Sequence, residues 1–267
     1  MVFPFNMLIL FIVCAVLCAI GFYKFVWFLS VGYGFAIAGA GITLIVLYHS
    51  TISTAVILQC VLFVIYGIRL GGFLLVRELK STAYRQNVYN ETGADKKIPL
   101  FVSIVIWISV TVLYVAEVSP VFYRLVNGKT ADLSTYVGIV IMILAIMIET
   151  IADAQKSKAK QKAPNRFCDY GLYKIVRCPN YFGELLFWTG VFVSGITAYD
   201  TALQWIIPVL GYLSIIYVML SGAKRLEERQ NKNYNSDPSY VAYRTSTPLL
   251  LPLIPLYSLS KCNWIKT

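Results

Sequence analysis

The chain alternates between long apolar runs and short charged segments. Seven runs are long enough, or nearly so, to cross a bilayer: residues 5–22, 27–48, 51–68, 99–117, 133–151, 180–198 and 202–221. About 20 mainly apolar residues in helix span a membrane's hydrocarbon core. The pattern predicts an all-α fold, a polytopic integral membrane helix bundle of about seven transmembrane helices. A further apolar stretch, PLLLPLIPLYSL (248–259), is too short and too broken by proline to span. It is expected at the membrane interface or packed on the bundle. The first run has the length of a signal peptide. Its start, MVFPFN, has no basic residue, and no small-residue cleavage site follows, so it is read as a retained helix.

Composition supports this reading. The 267 residues are 58% hydrophobic and 13% charged, against roughly 25% charged in soluble domains. Mean hydropathy is +0.68. No block of domain size looks soluble, so a single polytopic domain is expected. The net charge of +10 is informative mainly through its placement. Taking loops alternately, one side holds Lys24 and every lysine and arginine of 69–98, 152–179, 222–247 and the tail. The other side holds only Arg124 and Lys129. Positively charged loops favour the cytoplasm. The N-terminus is therefore expected outside or lumenal, and the C-terminus cytoplasmic. Orientation alone explains the basic loops, so no nucleic-acid partner is expected.

Three features are decoys for other functions. GYGFAIAGAG (32–41) has closely spaced glycines, but it lies inside an apolar helix, without the strand that a dinucleotide fingerprint requires. Its small residues are read as helix-packing contacts. NET (90–92) is a formal glycosylation sequon, but the topology puts it on the cytoplasmic side. The six cysteines, Cys14, Cys18, Cys60, Cys168, Cys178 and Cys262, form no Cys-x-x-Cys pair, and His49 is the single histidine. Free thiols, no zinc site and no other metal are expected. His49 reads as an interfacial polar residue at a helix end.

The unusual chemistry lies in the C-terminal half. In MIETIADAQKSKAKQK (147–162), Glu149 and Asp153 share one helix face, continued by Lys156 and Lys160. A carboxylate at a membrane helix end usually has a partner or a task. In RFCDYGLYKIVRCPNYFGELLFW (166–188), Gly171 suits a left-handed turn, and Pro179 suits a helix start. Asn180 and Glu184 then lie one turn apart at a helix N-terminus, which favours anions. Arg166, Lys174 and Arg177 are candidate phosphate donors, and Tyr173 and Tyr181 offer faces for an adenine or nicotinamide ring. AKRLEERQNKNYNSDPSYVAYR (223–244) reads as an amphipathic helix, a turn and a second short helix. It is expected to fold over a pocket or to remain a solvated tail.

IETIADAQK, NRFCDYGLYKIVRCPNYFGELLFWTG and LEERQNKNY…DPSYVAYRTSTPLLLPLIP together resemble the steroid 5-alpha-reductase family, in its membrane branch related to the isoprenylcysteine methyltransferase fold. YGIRLGGFLLVRE (66–78) is a weaker echo. The clear resemblance covers roughly 135–257. It implies a helical membrane reductase that uses NADPH, in the endoplasmic reticulum if the cell is eukaryotic. It also implies cofactor contacts from Asp153, Lys160, Arg166, Asn180 and Glu184, with Gly171, Leu172 and Tyr173 as the family's Gly-Leu-aromatic turn; Arg177 and Tyr181 join the expected cofactor set as the phosphate donor and ring face named above. One position departs from the pattern: the branch usually has histidine where Cys178 stands. The Tyr/Glu pair that polarises the substrate carbonyl in steroid reductases has no counterpart, since the first 77 residues contain no Asp or Glu. Tyr33, Tyr48 and Tyr66 are the catalytic candidates by position alone.

The chain thus divides into 1–134, N-terminal helices and a basic loop on the lipid-substrate side; 135–257, a steroid-reductase-like region with a nucleotide pocket; and 258–267, a cytoplasmic tail. The leading expectation is NADPH-dependent reduction of a carbon–carbon double bond in a lipid or sterol-like substrate, with membrane lipids as surroundings. An isoprenylcysteine-type S-adenosylmethionine-dependent methyltransferase and a non-catalytic membrane protein retaining the fold are the alternatives. S-adenosylmethionine has no phosphates to engage the basic residues, which disfavours the methyltransferase.

Overall fold

A computed structural model describes residues 3–80 and 98–265. Among these residues the chain is helical, with no strand. Eight α-helices follow in order: α1 (Phe5–Cys18), α2 (Val31–Leu47), α3 (Thr54–Lys80), α4 (Leu100–Val126), α5 (Leu133–Lys162), α6 (Pro179–Gly195), α7 (Ile206–Tyr234) and α8 (Pro238–Ser246). The sequon at Asn90 lies outside the described residues. So do Arg85, Lys96 and Lys97 of the predicted basic loop.

Among the described residues, six segments are long and apolar enough to cross a membrane: Phe5–Phe22, Phe25–Leu47, Thr54–Lys80, Leu100–Val126, Leu133–Lys162 and Ala202–Tyr234. The protein is therefore an integral multi-pass helix bundle. The remaining apolar run folds as α6, a 17-residue helix that rises roughly 25 Å. Pro179 sets its start, because the missing proline N–H costs nothing at the first helical position. Four helices outrun the apolar stretches that predict them. α3 reaches Lys80, α4 Val126, α5 Lys162 and α7 Tyr234. In α3, α5 and α7, Ala, Arg, Lys, Glu and Gln continue the helix beyond the apolar run, because they are strong helix formers.

The chain forms two compact units: Met1–Ile139 with Val191–Gly211, and Val140–Gly190 with Tyr212–Thr267. In the first, the glycines of 32–41 are contact points between helices. A Cβ on Gly34 would lie 2.5 Å from the Gly71 amide nitrogen and 2.6 Å from the Gly67 carbonyl oxygen of α3. One on Gly41 would lie 2.5 Å from the Cys60 carbonyl oxygen. Small residues let two membrane helices approach until their backbones touch. The Trp107 indole of α4 donates to the Ala15 carbonyl of α1 (2.8 Å). Glu78, the first acid in the chain, is buried and accepts from Lys24 and from the Trp27 indole.

α4 carries Pro120 in its interior, where a proline leaves the carbonyl four residues earlier without its helical donor. That carbonyl belongs to Ala116, and the Ser119 hydroxyl donates to it (2.7 Å). Arg124 follows one turn later and is fully buried. Its guanidinium donates to the carbonyls of Thr130 (2.6 Å) and Ser194 (2.8 Å), and to Asp132, Ser134 and Thr197. Asp132 also caps α5, accepting from the Thr135 amide (3.1 Å). One arginine thereby joins the ends of α4, α5 and α6.

Candidate functional site

The predicted cofactor residues all fall in the second unit. They are organised by α5. Gly171 sits at φ +62, and a Cβ there would lie 2.3 Å from the Gln155 side chain. Only glycine satisfies both the left-handed backbone and the close approach. The Leu172 amide donates to Gln155 Oε1 (2.9 Å), and the Tyr170 hydroxyl donates to the Gln155 carbonyl (2.7 Å). The Tyr243 hydroxyl of α8 donates to the Tyr173 carbonyl (2.7 Å). Tyr173 itself is buried against Ala152 and Cys168, and burial pushes its phenol well above the usual range. The Gly-Leu-Tyr turn is therefore docked onto α5 and fastened by α8.

The chain then enters α6. The Arg177 and Cys178 amides donate to the carbonyls of Pro248 (2.8 Å) and Leu249 (2.9 Å). The buried Arg177 guanidinium pairs with Glu227 of α7 (3.1 Å) and donates to the Tyr257 carbonyl. Glu227 also accepts from the Leu259 amide (2.8 Å). Cys178 is fully buried among Ala223, Leu226, Leu249, Leu250, Leu259 and Ile265. Burial pushes its thiol up to about 11. Cys178, where the resemblance leads one to expect a histidine, thus packs in an apolar core.

Beyond Cys178 the first turns of α6 present polar groups. Asn180 Oδ1 is a buried acceptor with no hydrogen-bond partner among the described residues. Glu184, one turn on, is buried, as are Glu149 and Asp153 on one face of α5. The two helices cross at Gly183, where a Cβ would lie 2.9 Å from Glu149 Cβ and 3.0 Å from its amide nitrogen. Neighbouring helices thereby bring carboxylates to one crossing. Tyr181 lies against Gly222 of α7 and within electrostatic reach of Arg225, Arg229 and Glu184. Gln230 Oε1 is a second buried acceptor with no hydrogen-bond partner among the described residues.

The basic residues divide into two kinds. Lys160 donates to the carbonyls of Pro164 (3.0 Å) and Arg166 (2.7 Å) and to the Tyr234 hydroxyl (2.9 Å), so all three ammonium protons are engaged. With Arg177, it acts as a fastening inside the unit. Arg166 is exposed, pairs with Asp169 (2.7 Å) and lies over the Phe167 ring. Lys174 is also exposed. These two present charge to solvent.

The catalytic candidates lie in the first unit. The Tyr33 and Tyr66 hydroxyls are 3.2 Å apart and buried, and Tyr33 also packs against Tyr114. Tyr48 accepts from the Asn6 amide (3.0 Å) and belongs to a different contact. Sequence reasoning missed Gln155, Lys224, Glu227 and Gln230. Glu227 and Lys224 sit among charged neighbours, and nothing local marks them as the buried members of that helix. It also passed over Glu117, a buried acid in the run 99–117.

A family model described as "Protein of unknown function (DUF1295)" matches residues 10–247. No curated protein and no solved structure matches the chain.

Proposed function

The chain belongs to the DUF1295 family of proteins of unknown function, so its activity has to be argued from its residues, and we propose an NADPH-dependent membrane reductase. Its substrate is a lipid or sterol-like molecule with a carbon–carbon double bond beside a carbonyl. The observation that carries the proposal is the start of α6: an unpartnered, buried Asn180 oxygen one turn before a buried Glu184. A buried acceptor without a donor is costly, and ribose hydroxyls and a carboxamide NH₂ are donors of the kind it needs. The resemblance of 135–257 to steroid 5-alpha-reductases agrees with this choice of ligand.

NADPH supplies a hydride when bound. The chain's residues bind and orient. Asn180, Glu184 and Asp153 accept hydrogen bonds, Tyr181 offers a ring face, and Arg166 and Lys174 offer cations to phosphates. Lys160 and Arg177 hold the loop and tail in place. In the first unit, Tyr33 and Tyr66 stay the catalytic candidates, since a phenol hydroxyl is the kind of group that steadies a carbonyl oxygen. The N-terminus is outside and the C-terminus cytoplasmic in this reading, with the endoplasmic reticulum as the membrane in a eukaryotic cell.

The test is NADPH oxidation by the protein in nanodiscs, offered a panel of enone-bearing lipids and sterols. Oxidation with at least one lipid is expected, and its loss in Tyr66→Phe would assign the hydroxyl. NADPH binding without turnover on any lipid would point to a non-catalytic protein. Methyl transfer from S-adenosylmethionine would overturn the reductase.

A further inference from the structure

The proposed reaction leaves the last stretch, residues 248–265, without a task. Its inner side is fixed. Leu249, Leu250, Leu259 and Ile265 are buried in the second unit, Lys224 donates to the carbonyls of Cys262 (3.2 Å) and Ile265 (2.8 Å), and Glu227 holds the Leu259 amide. Its exposed side mixes large apolar side chains, Leu253 at 99%, Trp264 at 65%, Ile254 at 50% and Tyr257 at 40%, with polar Ser258, Ser260, Lys261 and Asn263, the mixture that suits a headgroup region. Leu253 also adopts φ 66, the left-handed region that non-glycine residues avoid. A leucine held there at full exposure is a specific conformation rather than a loose end.

The neighbouring helix identifies what meets this surface. The Trp264 ring lies 6.4 Å from the Tyr217 ring of α7. Tyr217 is exposed beside Leu213 and Val218, inside the apolar stretch that crosses the membrane. The first exposed charge of α7, Arg225, comes eight residues later, roughly 12 Å along the helix axis. Trp264 therefore sits on the apolar side of that boundary and continues the face that α7 turns to lipid. Tryptophan and tyrosine concentrate at the level of lipid headgroups, where one end of the ring is wet and the other dry.

We propose that residues 251–264 form a membrane-interface belt, with Leu253, Ile254 and Trp264 seated at the headgroup–acyl boundary of the bilayer that the helices span. The clamps from Lys224, Glu227 and Arg177 make the belt part of the second unit, so lipid contact bears on the strap that holds the entry to α6. The assignment does not depend on the chemistry proposed above.

The experiment places a nitroxide at position 253 or 264. Leu253→Cys and Trp264→Cys are made separately in a Cys262→Ser background, since the other five cysteines are buried. The full chain is reconstituted in phosphatidylcholine vesicles, and collisions with oxygen and with a water-soluble nickel chelate are compared. Arg166→Cys serves as the aqueous reference. A several-fold excess of oxygen over nickel collisions at both positions, reversed at 166, is the expected result. Nickel dominating at either position would put the belt in water. Low collision rates with both reagents would mean that protein, such as a second copy, covers it. Either outcome overturns the proposal.

Discussion

Cys178 shows what a single position contributes. From sequence it reads as a lost histidine. In the fold it belongs to one buried apolar cluster with Leu226, Leu249 and Leu250, and burial pushes its thiol up to about 11, so the thiolate that alkylating agents require is scarce at neutral pH. Iodoacetamide at pH 8 is expected to modify Cys262, the only half-exposed thiol, and to leave Cys178 untouched until the protein is unfolded; peptide mass spectrometry would report both. Arg177 is legible in the sequence as a cation but not as a buried one, because its partner Glu227 lies 50 residues away. Removing one member of a buried pair strands the other. Arg177→Met is expected to cost about 3–5 kcal/mol in thermal unfolding, and the double variant Arg177→Met with Glu227→Met should recover part of it. Asp132 gives a pH signature. Burial pushes its carboxyl up, but the Thr197, Ser134 and Thr135 hydrogen bonds and the Arg124 charge outweigh this and hold it well below the usual range. A depressed folded value stabilises above the unfolded value of about 3.9 and is lost as pH falls through the folded one. Asp132→Asn should therefore lower stability at pH 7 and flatten the loss below pH 4, as read from melting curves against pH.

Among elements, the helices were legible from apolar periodicity, while their ends and crossings were only partly so. The charged extensions of α5 and α7 lie beyond the spanning runs, and that of α7 reads from sequence as a separate amphipathic helix where the fold has one continuous helix; they contribute Gln155, Lys160, Glu227 and Gln230 to the second unit. The glycines of 32–41 read correctly as contacts, but sequence does not say which glycine touches. Gly34 meets the α3 backbone, whereas Gly72 has nothing within 4 Å of an added Cβ. Gly34→Ala should push α2 from α3 and lower the melting temperature. Gly72→Ala should be neutral or gain up to about 1 kcal/mol, since alanine costs less in a helix interior. Gly183 belongs with Gly34. Its substitution by valine would separate α6 from Glu149, so NADPH affinity should fall together with stability.

At the scale of the whole molecule, membrane residence and helical class follow from composition and run length. The family assignment spans both units, because residues 10–247 match as one. Asn180 and Glu184 stand out in the sequence because residue type and spacing coincide there, and the fold buries both the Asn180 oxygen and Glu184. The engagement of Lys160 and Arg177 in structural contacts follows from long-range packing that no local pattern encodes. The account's central claim is that the start of α6 holds a nicotinamide nucleotide. It is tested most directly by calorimetric titration of the purified protein in detergent with NADPH, NADH and S-adenosylmethionine, repeated for Asn180→Ala and Glu184→Ala. The expected result is preferential binding of NADPH, weakened at least tenfold in each variant while the melting temperature is retained, tenfold corresponding to about 1.4 kcal/mol. A well-folded protein that binds no NADPH, or binds it equally well without Asn180 and Glu184, would contradict the account.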